Sequence, residues 1–145
     1  MRDRLLLVYT GISRKANDIL KEQEKNLLDE EKFEALKRNG WRADMAAKFL
    51  AEGKLDQIGI LLDDAWHDKK KLANEISNPY IDEIYEKARK AGALGGKLIG
   101  AGGGGFMLLY YPKSYMESDI ISSLPEKCEV FDFDFYDKGC EVFKI

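Results

Sequence analysis

The chain has 145 residues, the size of one domain, and a domain of that size buries roughly 68–70% of its unfolded surface. Hydrophobic residues make up 45% and charged residues 34%, which excludes a disordered chain. A net charge of −3 and a pI near 5.3 argue against a nucleic-acid or membrane surface.

The first element is the apolar run Leu5 to Tyr9, expected to be a buried strand. Strand pattern begins almost at once, as in a piece of a longer protein. Thr10-Gly11 turns the chain, and Ser13 is placed to cap a helix. That helix sets Ile12, Ala16, Ile19, Leu20 and Gln23 on one side, and Leu27 and Leu28 extend the pattern. Asp29 to Arg38 is expected to be helical, Asn39-Gly40 to break it, and Arg42 to Glu52 to form another helix ended by Gly53. Leu55 to Glu75 keeps a 3–4 apolar spacing and reads as the longest helix. Ser77-Asn78-Pro79 opens the next, with Pro79 at the favoured first position. Ala91-Gly92 closes it.

Eight of the 13 glycines lie between Gly92 and Gly105. Leu98 and Ile99 read as the end of one strand and Phe106 to Tyr111 as the next, joined by a loop too short for a crossover and therefore antiparallel. A plain hairpin needs one or two glycines. The excess suggests backbone N–H groups forming a nest for an anion such as phosphate, and a flexible hairpin tip is the alternative. Gly100 to Gly105 satisfies G-x-G-x-x-G, but a strand follows it where a dinucleotide fold needs a helix. No Gly-Lys-Ser or Gly-Lys-Thr closes the run, which excludes a P-loop. Tyr115 to Leu124 is expected to be a short helix stopped by Pro125. Val130 to Phe135 alternates as a one-sided strand, and Cys140 to Ile145 is expected to be a last strand. Runs of helices and hairpins without strict alternation indicate an α+β fold, an antiparallel sheet with helices on one face. Of the two cysteines, neither Cys128 nor Cys140 has metal-site spacing with His67, the one histidine. Without a secretory leader or an apolar run of membrane-spanning length, reduced thiols and a cytoplasmic location are expected.

The run from Gly92 to Phe106, Gly-Ala-Leu-Gly-Gly-Lys-Leu-Ile-Gly-Ala-Gly-Gly-Gly-Gly-Phe, resembles the third motif of the GHMP kinases, the superfamily of galactokinase, homoserine kinase, mevalonate kinase and phosphomevalonate kinase. That motif is written Gly-Ala-x-Gly-x-Lys-x-Thr/Ser-Gly-Ala-Gly-x-Gly-Gly. Val8-Tyr-Thr-Gly11 with Ser13-Arg14 is similar to the strand that opens the family's C-terminal domain. Trp66-His67, Lys69-Lys70, Ile76-Ser77 and Ile81 look most like the kinases acting on heptose 7-phosphate, and a fucokinase-like relative also fits. The similarity covers essentially the whole chain. It departs from the motif at Ile99, where a hydroxyl side chain is usual.

The resemblance implies a ferredoxin-like α+β domain with added helices over residues 1–145. It implies an ATP- and Mg2+-dependent kinase acting on a sugar-phosphate substrate, with the N-terminal ATP-binding domain supplied in cis or in trans. That domain's Pro-x-x-x-Gly-Leu-Gly-Ser-Ser loop is absent from this sequence. Neither a nucleic acid nor a membrane is an expected partner, and a homodimer is open. No catalytic residue and no metal ligand is assigned to this chain. The resemblance favours a phosphate-side cradle at Gly100, Ala101, Gly102, Gly103, Gly104 and Gly105. Lys97 is a candidate phosphate partner, or a surface lysine on a strand. Thr10, Ser13 and Arg14, at a helix start where anions are stabilised, are candidates for a sugar-phosphate contact; Ser13 as a simple cap is the alternative. Trp66, Lys69 and Lys70 share a turn of one helix, where Trp66 would stack on a sugar or fill the core and the lysines would meet phosphate. His67 could serve as a base but reads better as a surface or satisfied histidine, and Asp63 with Asp64 makes a poor metal pair, since adjacent helical carboxylates point apart. The rival class is a stand-alone ferredoxin-like module that binds a small molecule or regulates, without catalysis.

Overall fold

The computed structural model describes residues 1–13, 16–26, 28–136 and 138–139. Strand β1 (Leu5–Tyr9) leads into four helices, α1 (Ala16–Asn26), α2 (Glu30–Ala51), α3 (Leu55–Leu72) and α4 (Pro79–Lys90). Strands β2 (Gly95–Leu98) and β3 (Phe106–Tyr110) flank the glycine run, and α5 (Glu117–Ser123) precedes β4 (Glu129–Phe131). The strands form one sheet in the order β2-β3-β1-β4, with every neighbouring pair antiparallel. This is the ferredoxin-like order, with three added helices in the first crossover. The α+β expectation is met.

Local chemistry explains the helix boundaries. The Asp29 side chain caps α2 by accepting from Lys32 N, with Glu30 and Glu31 in the first turn, where the helix dipole favours them. Asn78 caps α4 by accepting from the amides of Tyr80 and Ile81. Three expectations are corrected. Asn39-Gly40 does not break α2, which runs unbroken for 22 residues. Arg38 and Arg42, one turn apart and straddling Gly40, both bond Asp68 of α3, and that double contact needs helical geometry across the glycine. The helix expected over Leu55 to Glu75 ends at Leu72, whose carbonyl accepts from Asn26 Nδ2 at 2.8 Å; Asn74–Ile76 is a separate 3-10 turn. The strand expected over Val130 to Phe135 pairs only through Phe131. Beyond Leu5 its partner becomes a 3-10 turn (Arg2–Arg4), and Arg2 Nε takes the Phe133 carbonyl instead. The last strand, at Cys140 to Ile145, lies outside the described residues, as do Leu27 and Arg14.

The sheet's two faces differ. Leu6, Val8, Leu98, Met107 and Leu109 are buried in a core with Ile19, Trp66, Ile76, Ile81, Ile84 and Ile120 from the helices. On the other face, registered pairs bring together Leu7 with Leu108 and Phe131, and Tyr9 with Phe106. These side chains are only half-buried, and Phe131 is exposed. The rings of Tyr9, Phe106 and Phe131 form a cluster with centroids 5.3–6.4 Å apart.

Helix α3 packs along the β2 edge at unusually close range because glycine faces glycine. A Cβ on Gly95 would collide with the Gly59 carbonyl, and one on Gly59 would lie 2.6 Å from the Tyr110 ring. Gly40 has nothing within 4 Å of an added Cβ. The two helical glycines therefore respond oppositely to alanine. Gly40→Ala is expected to raise stability by about 1 kcal/mol through helix propensity. Gly59→Ala is expected to lower it by about 1–3 kcal/mol through overpacking. Urea midpoints of the two variants check the signs, and equal shifts would contradict the packing described.

Candidate functional site

Ile99 N donates to Phe106 O at 2.8 Å and closes the β2–β3 ladder. The main chain that follows has only one side chain beyond glycine, Ala101, so its shape is imposed by bonds from outside. Gly100, Gly102, Gly103, Gly104 and Gly105 all have positive φ, which other residues adopt only at a cost. Gly103 N donates to Ile76 O and Gly105 N to Ile12 O, both at 2.8 Å. The Gly105 carbonyl accepts from both the amide and the hydroxyl of Thr10, each at 2.9 Å. Gln23 Nε2 donates to Ala101 O at 3.2 Å. Lys69 Nζ donates to Leu98 O at 2.9 Å and to Gly100 O at 2.5 Å. The amides of Gly100, Ala101, Gly102 and Gly104 have no acceptor among the described residues.

The loop forms the rim of an open cleft of about 320 Å³. Tyr9 and Phe106 are its floor, Ile12, Ser13 and Ile99 its sides, and Ala101, Gly102, Gly104 and Gly105 its backbone edge. It opens beside the half-buried face of the sheet, at the edge of the aromatic cluster. Backbone donors beside an apolar aromatic floor suit a ligand with an anionic group and a less polar body.

The structure distributes the expected site residues as follows. Ser13 is exposed on the cleft wall, and Arg14 lies outside the described residues. Thr10 is fully buried and spends its hydroxyl on Gly105, so it braces the loop and does not face the cleft. Trp66 has no exposed surface. Its ring belongs to the core, 6.1 Å from that of Tyr85, where a sugar has no access. Lys70 pairs with Asp82 at 3.2 Å. Lys69 is buried beneath the loop, and burial, reinforced by Lys97, pulls its ammonium down to about 8. Lys97 sits half-buried on the open sheet face opposite Leu108, its pKa lowered by burial and then by Arg42. Gly103 and Gly104 are buried and Gly100 is exposed. His67 and Asp63 lie with Tyr85 and Arg89 beside Gly92 to Leu94, at the far end of β2 from the loop. Among the described residues no group of His, Cys, Asp or Glu could hold a metal ion.

Tyr9, Phe106, Ile12 and Ile99 are cleft residues that the sequence reading did not nominate. The alternation in Leu5–Tyr9 and Phe106–Tyr110 contained the signal, since Tyr9 and Phe106 fall on the face opposite to Val8 and Met107. A second structural feature was not legible. Asp68, almost fully buried, accepts from Arg38 at 2.7 and 2.8 Å and from Arg42 at 2.6 Å. The Arg38 bonds, helped by Arg42, hold its carboxyl well below the usual range despite burial.

The family model for the GHMP kinases C terminal domain matches residues 46–130. The D-glycero-alpha-D-manno-heptose 7-phosphate kinase of Campylobacter jejuni is 30% identical over 142 residues, which is 98% of this chain and 42% of that protein. The bifunctional fucokinase/GDP-fucose pyrophosphorylase of Arabidopsis thaliana is also 30% identical over 142 residues, 94% of this chain and 13% of that protein. Among solved structures, the mevalonate kinase of Methanococcus jannaschii superposes with a TM-score of 0.71 at 28% identity, covering 88% of this chain and 38% of that one. The chain thus spans less than half the length of these proteins.

The loop geometry makes a graded prediction. A Cβ at Gly100 meets nothing within 4 Å, whereas one at Gly104 would lie 2.7 Å from the Ile12 carbonyl. Gly100→Ala is expected to cost about 1–2 kcal/mol, the left-handed backbone alone. Gly104→Ala is expected to cost more and to shift the Ile12 and Gly105 amide resonances. Denaturation midpoints and amide spectra measure both, and a harmless Gly104→Ala would mean the loop is not seated on Ile12.

Proposed function

We propose, from the premise that this chain belongs to the GHMP kinase family and carries its C-terminal domain, that it is one half of a sugar-phosphate kinase. The complete enzyme would transfer the γ-phosphoryl group of MgATP to a sugar hydroxyl, with heptose 7-phosphate as the proposed acceptor. The observation that carries the reading is the glycine loop, where Ala101, Gly102 and Gly104, whose amides have no acceptor among the described residues, line an open cleft. The acceptor is proposed from the 30% identity to the Campylobacter heptose 7-phosphate kinase along 98% of this chain.

Phosphoryl transfer needs little covalent help from the protein; it depends on positioning and on stabilising charge. The amides of Gly100, Ala101, Gly102 and Gly104 fit phosphate oxygens as preorganised donors. The aromatic floor of Tyr9 and Phe106 fits a sugar ring. Ser13 on the cleft wall supplies a hydroxyl for the substrate, and Lys97 supplies positive charge on the same sheet face. Among the described residues no group of three or more His, Cys, Asp or Glu could hold a metal ion, and the ligands of Mg2+ are proposed to lie in the other half of the kinase. ATP, when bound, supplies the transferred group, and its own cradle is assigned to the other half of the kinase, in the same chain or a partner. That half is proposed to cover the face bearing Leu7, Tyr9, Phe106, Leu108 and Phe131. A cytoplasmic location is part of this proposal, because the proposed reaction consumes ATP. No helix among the described residues is long and apolar enough to cross a membrane.

Two outcomes are expected. In a coupled assay with heptose 7-phosphate and MgATP, this polypeptide alone shows no turnover, and turnover appears when the N-terminal half is supplied. Phe131→Glu leaves this chain folded, because Phe131 is an exposed edge residue, but lowers turnover of the joined halves about tenfold or more, the equivalent of one buried aromatic. Normal turnover by this polypeptide alone would refute the two-half reading. Phosphorylation of fucose or mevalonate, but not heptose 7-phosphate, would replace the proposed acceptor.

A further inference from the structure

Lys69 is a buried lysine whose ammonium meets no carboxylate among the described residues. It comes from α3, and its partners among the described residues are two main-chain oxygens, Leu98 O at 2.9 Å and Gly100 O at 2.5 Å. A buried charge costs several kcal/mol unless something holds it, and here what holds it is the base of the glycine loop. The Gly100–Ala101 peptide is trans, since the described chain contains no cis bonds. Its N–H therefore points away from its C=O. With Gly100 O drawn to Lys69, the Ala101 N–H is turned in the opposite direction, and Ala101 lines the cleft. The next peptide is oriented in the same manner, because Gln23 Nε2 takes Ala101 O and leaves the Gly102 N–H facing away. Hydrogen bonding of a cation to a peptide oxygen also polarises that peptide and strengthens its N–H as a donor.

We propose that Lys69 is a positioning residue of the glycine loop: its ammonium fixes the Gly100–Ala101 peptide plane and turns a polarised Ala101 N–H into the cleft for an anionic group. The anion in question is the phosphate of the reading above, on which this role rests. Lys69 does not touch that anion. It acts through the loop, and its field adds to that of Lys97 on β2. Of its charged neighbours on α3, Asp68 is taken by Arg38 and Arg42 of α2 and by Lys71, and Lys70 by Asp82 of α4.

Titration gives this role a signature. Lys69 is pulled down to about 8, by burial first and by Lys97 second, so it loses its proton between about pH 7 and 9. The unfolded chain holds that proton more tightly than the folded one, so folding stability rises, and does not fall, across the range from about 8 to the ordinary 10.5. The fold persists while the clamp is released. A bound anion favours the ammonium and moves the midpoint upward.

The test is a carbon-detected NMR titration of the labelled chain from pH 6.5 to 10, with inorganic pyrophosphate as the probe. The carbonyl carbons of Leu98 and Gly100 are expected to shift in one step, with the same midpoint as Lys69 Cε. Pyrophosphate is expected to raise that midpoint and to perturb Ala101 and Gly102. Lys69→Arg removes the step and keeps pyrophosphate affinity within about threefold. Lys69→Met weakens that affinity tenfold or more. Carbonyls that ignore the Lys69 titration overturn the proposal, and this arm uses the wild-type chain, so it stands even where Lys69→Met does not fold. A pyrophosphate response that Lys69→Met leaves unchanged also overturns it, while sparing the phosphate reading of the loop. A Lys69 step with no response to pyrophosphate refutes the phosphate reading and, with it, the anion-directing part of the role.

Discussion

The main chain between β2 and β3 cannot hold itself. With five positive-φ glycines and one alanine it has almost no side chain to pack, and in isolation it would sample many conformations at a large entropic cost of ordering. Its shape is set by hydrogen bonds from four separate stretches: Thr10 and Ile12 after β1, Gln23 on α1, Lys69 on α3, and Ile76 in the turn before α4. The helices inserted into the first crossover serve this purpose. Without α1 and α3 the loop would lose the bonds from Gln23 and Lys69 and keep those to Thr10, Ile12 and Ile76.

The anchoring also explains why so unusual an ionic arrangement sits on α3. Asp68 and Lys69 are neighbours with opposite tasks. Asp68 points to α2 and is over-supplied with cations by Arg38 and Arg42; Lys69 points to the loop and meets no carboxylate among the described residues. The Asp68 contacts fix α2 against α3, and through α3 they fix the position from which Lys69 reaches Gly100 O. A buried ion pair adds little net stability over a hydrophobic contact. Its use here is geometric, since it ties α2 to the helix from which Lys69 reaches the loop. The close glycine contact of Gly59 with Gly95 acts toward the same end, pressing α3 against β2.

Periodicity and caps made most elements legible: β1, the Pro79 start of α4, the antiparallel glycine hairpin and the stop at Pro125 follow from local rules. What could not be read were relations between distant residues. Asn39-Gly40 has every local mark of a break, and only the bonds from Arg38 and Arg42 to Asp68, 30 and 26 residues away, override it. Trp66 and Lys69 sit three residues apart in the same helical stripe as Lys70, so a shared ligand contact was a reasonable expectation. The structure separates them by direction, Trp66 into the core and Lys69 toward the loop, which sequence spacing along one turn does not resolve. The glycine run was legible as a candidate site because its composition exceeds what a hairpin requires. Its dependence on outside carbonyls and an ammonium was not, since those partners leave no local pattern.

The sheet face left half-buried and the cleft are one surface. Tyr9 and Phe106 are at once the floor of the cleft and two members of the aromatic cluster that ends in exposed Phe131. A partner that covers the cluster therefore also roofs the floor of the cleft. Excluding water there would strengthen each interaction between the loop amides and an anion, because the same dipoles act in a lower dielectric. It would also deepen the burial of Lys97, on the same face, and so raise the worth of an anion placed beside it. On this geometry a covering partner would strengthen, without having to create, an anion-binding edge that the domain already carries preorganised on its own.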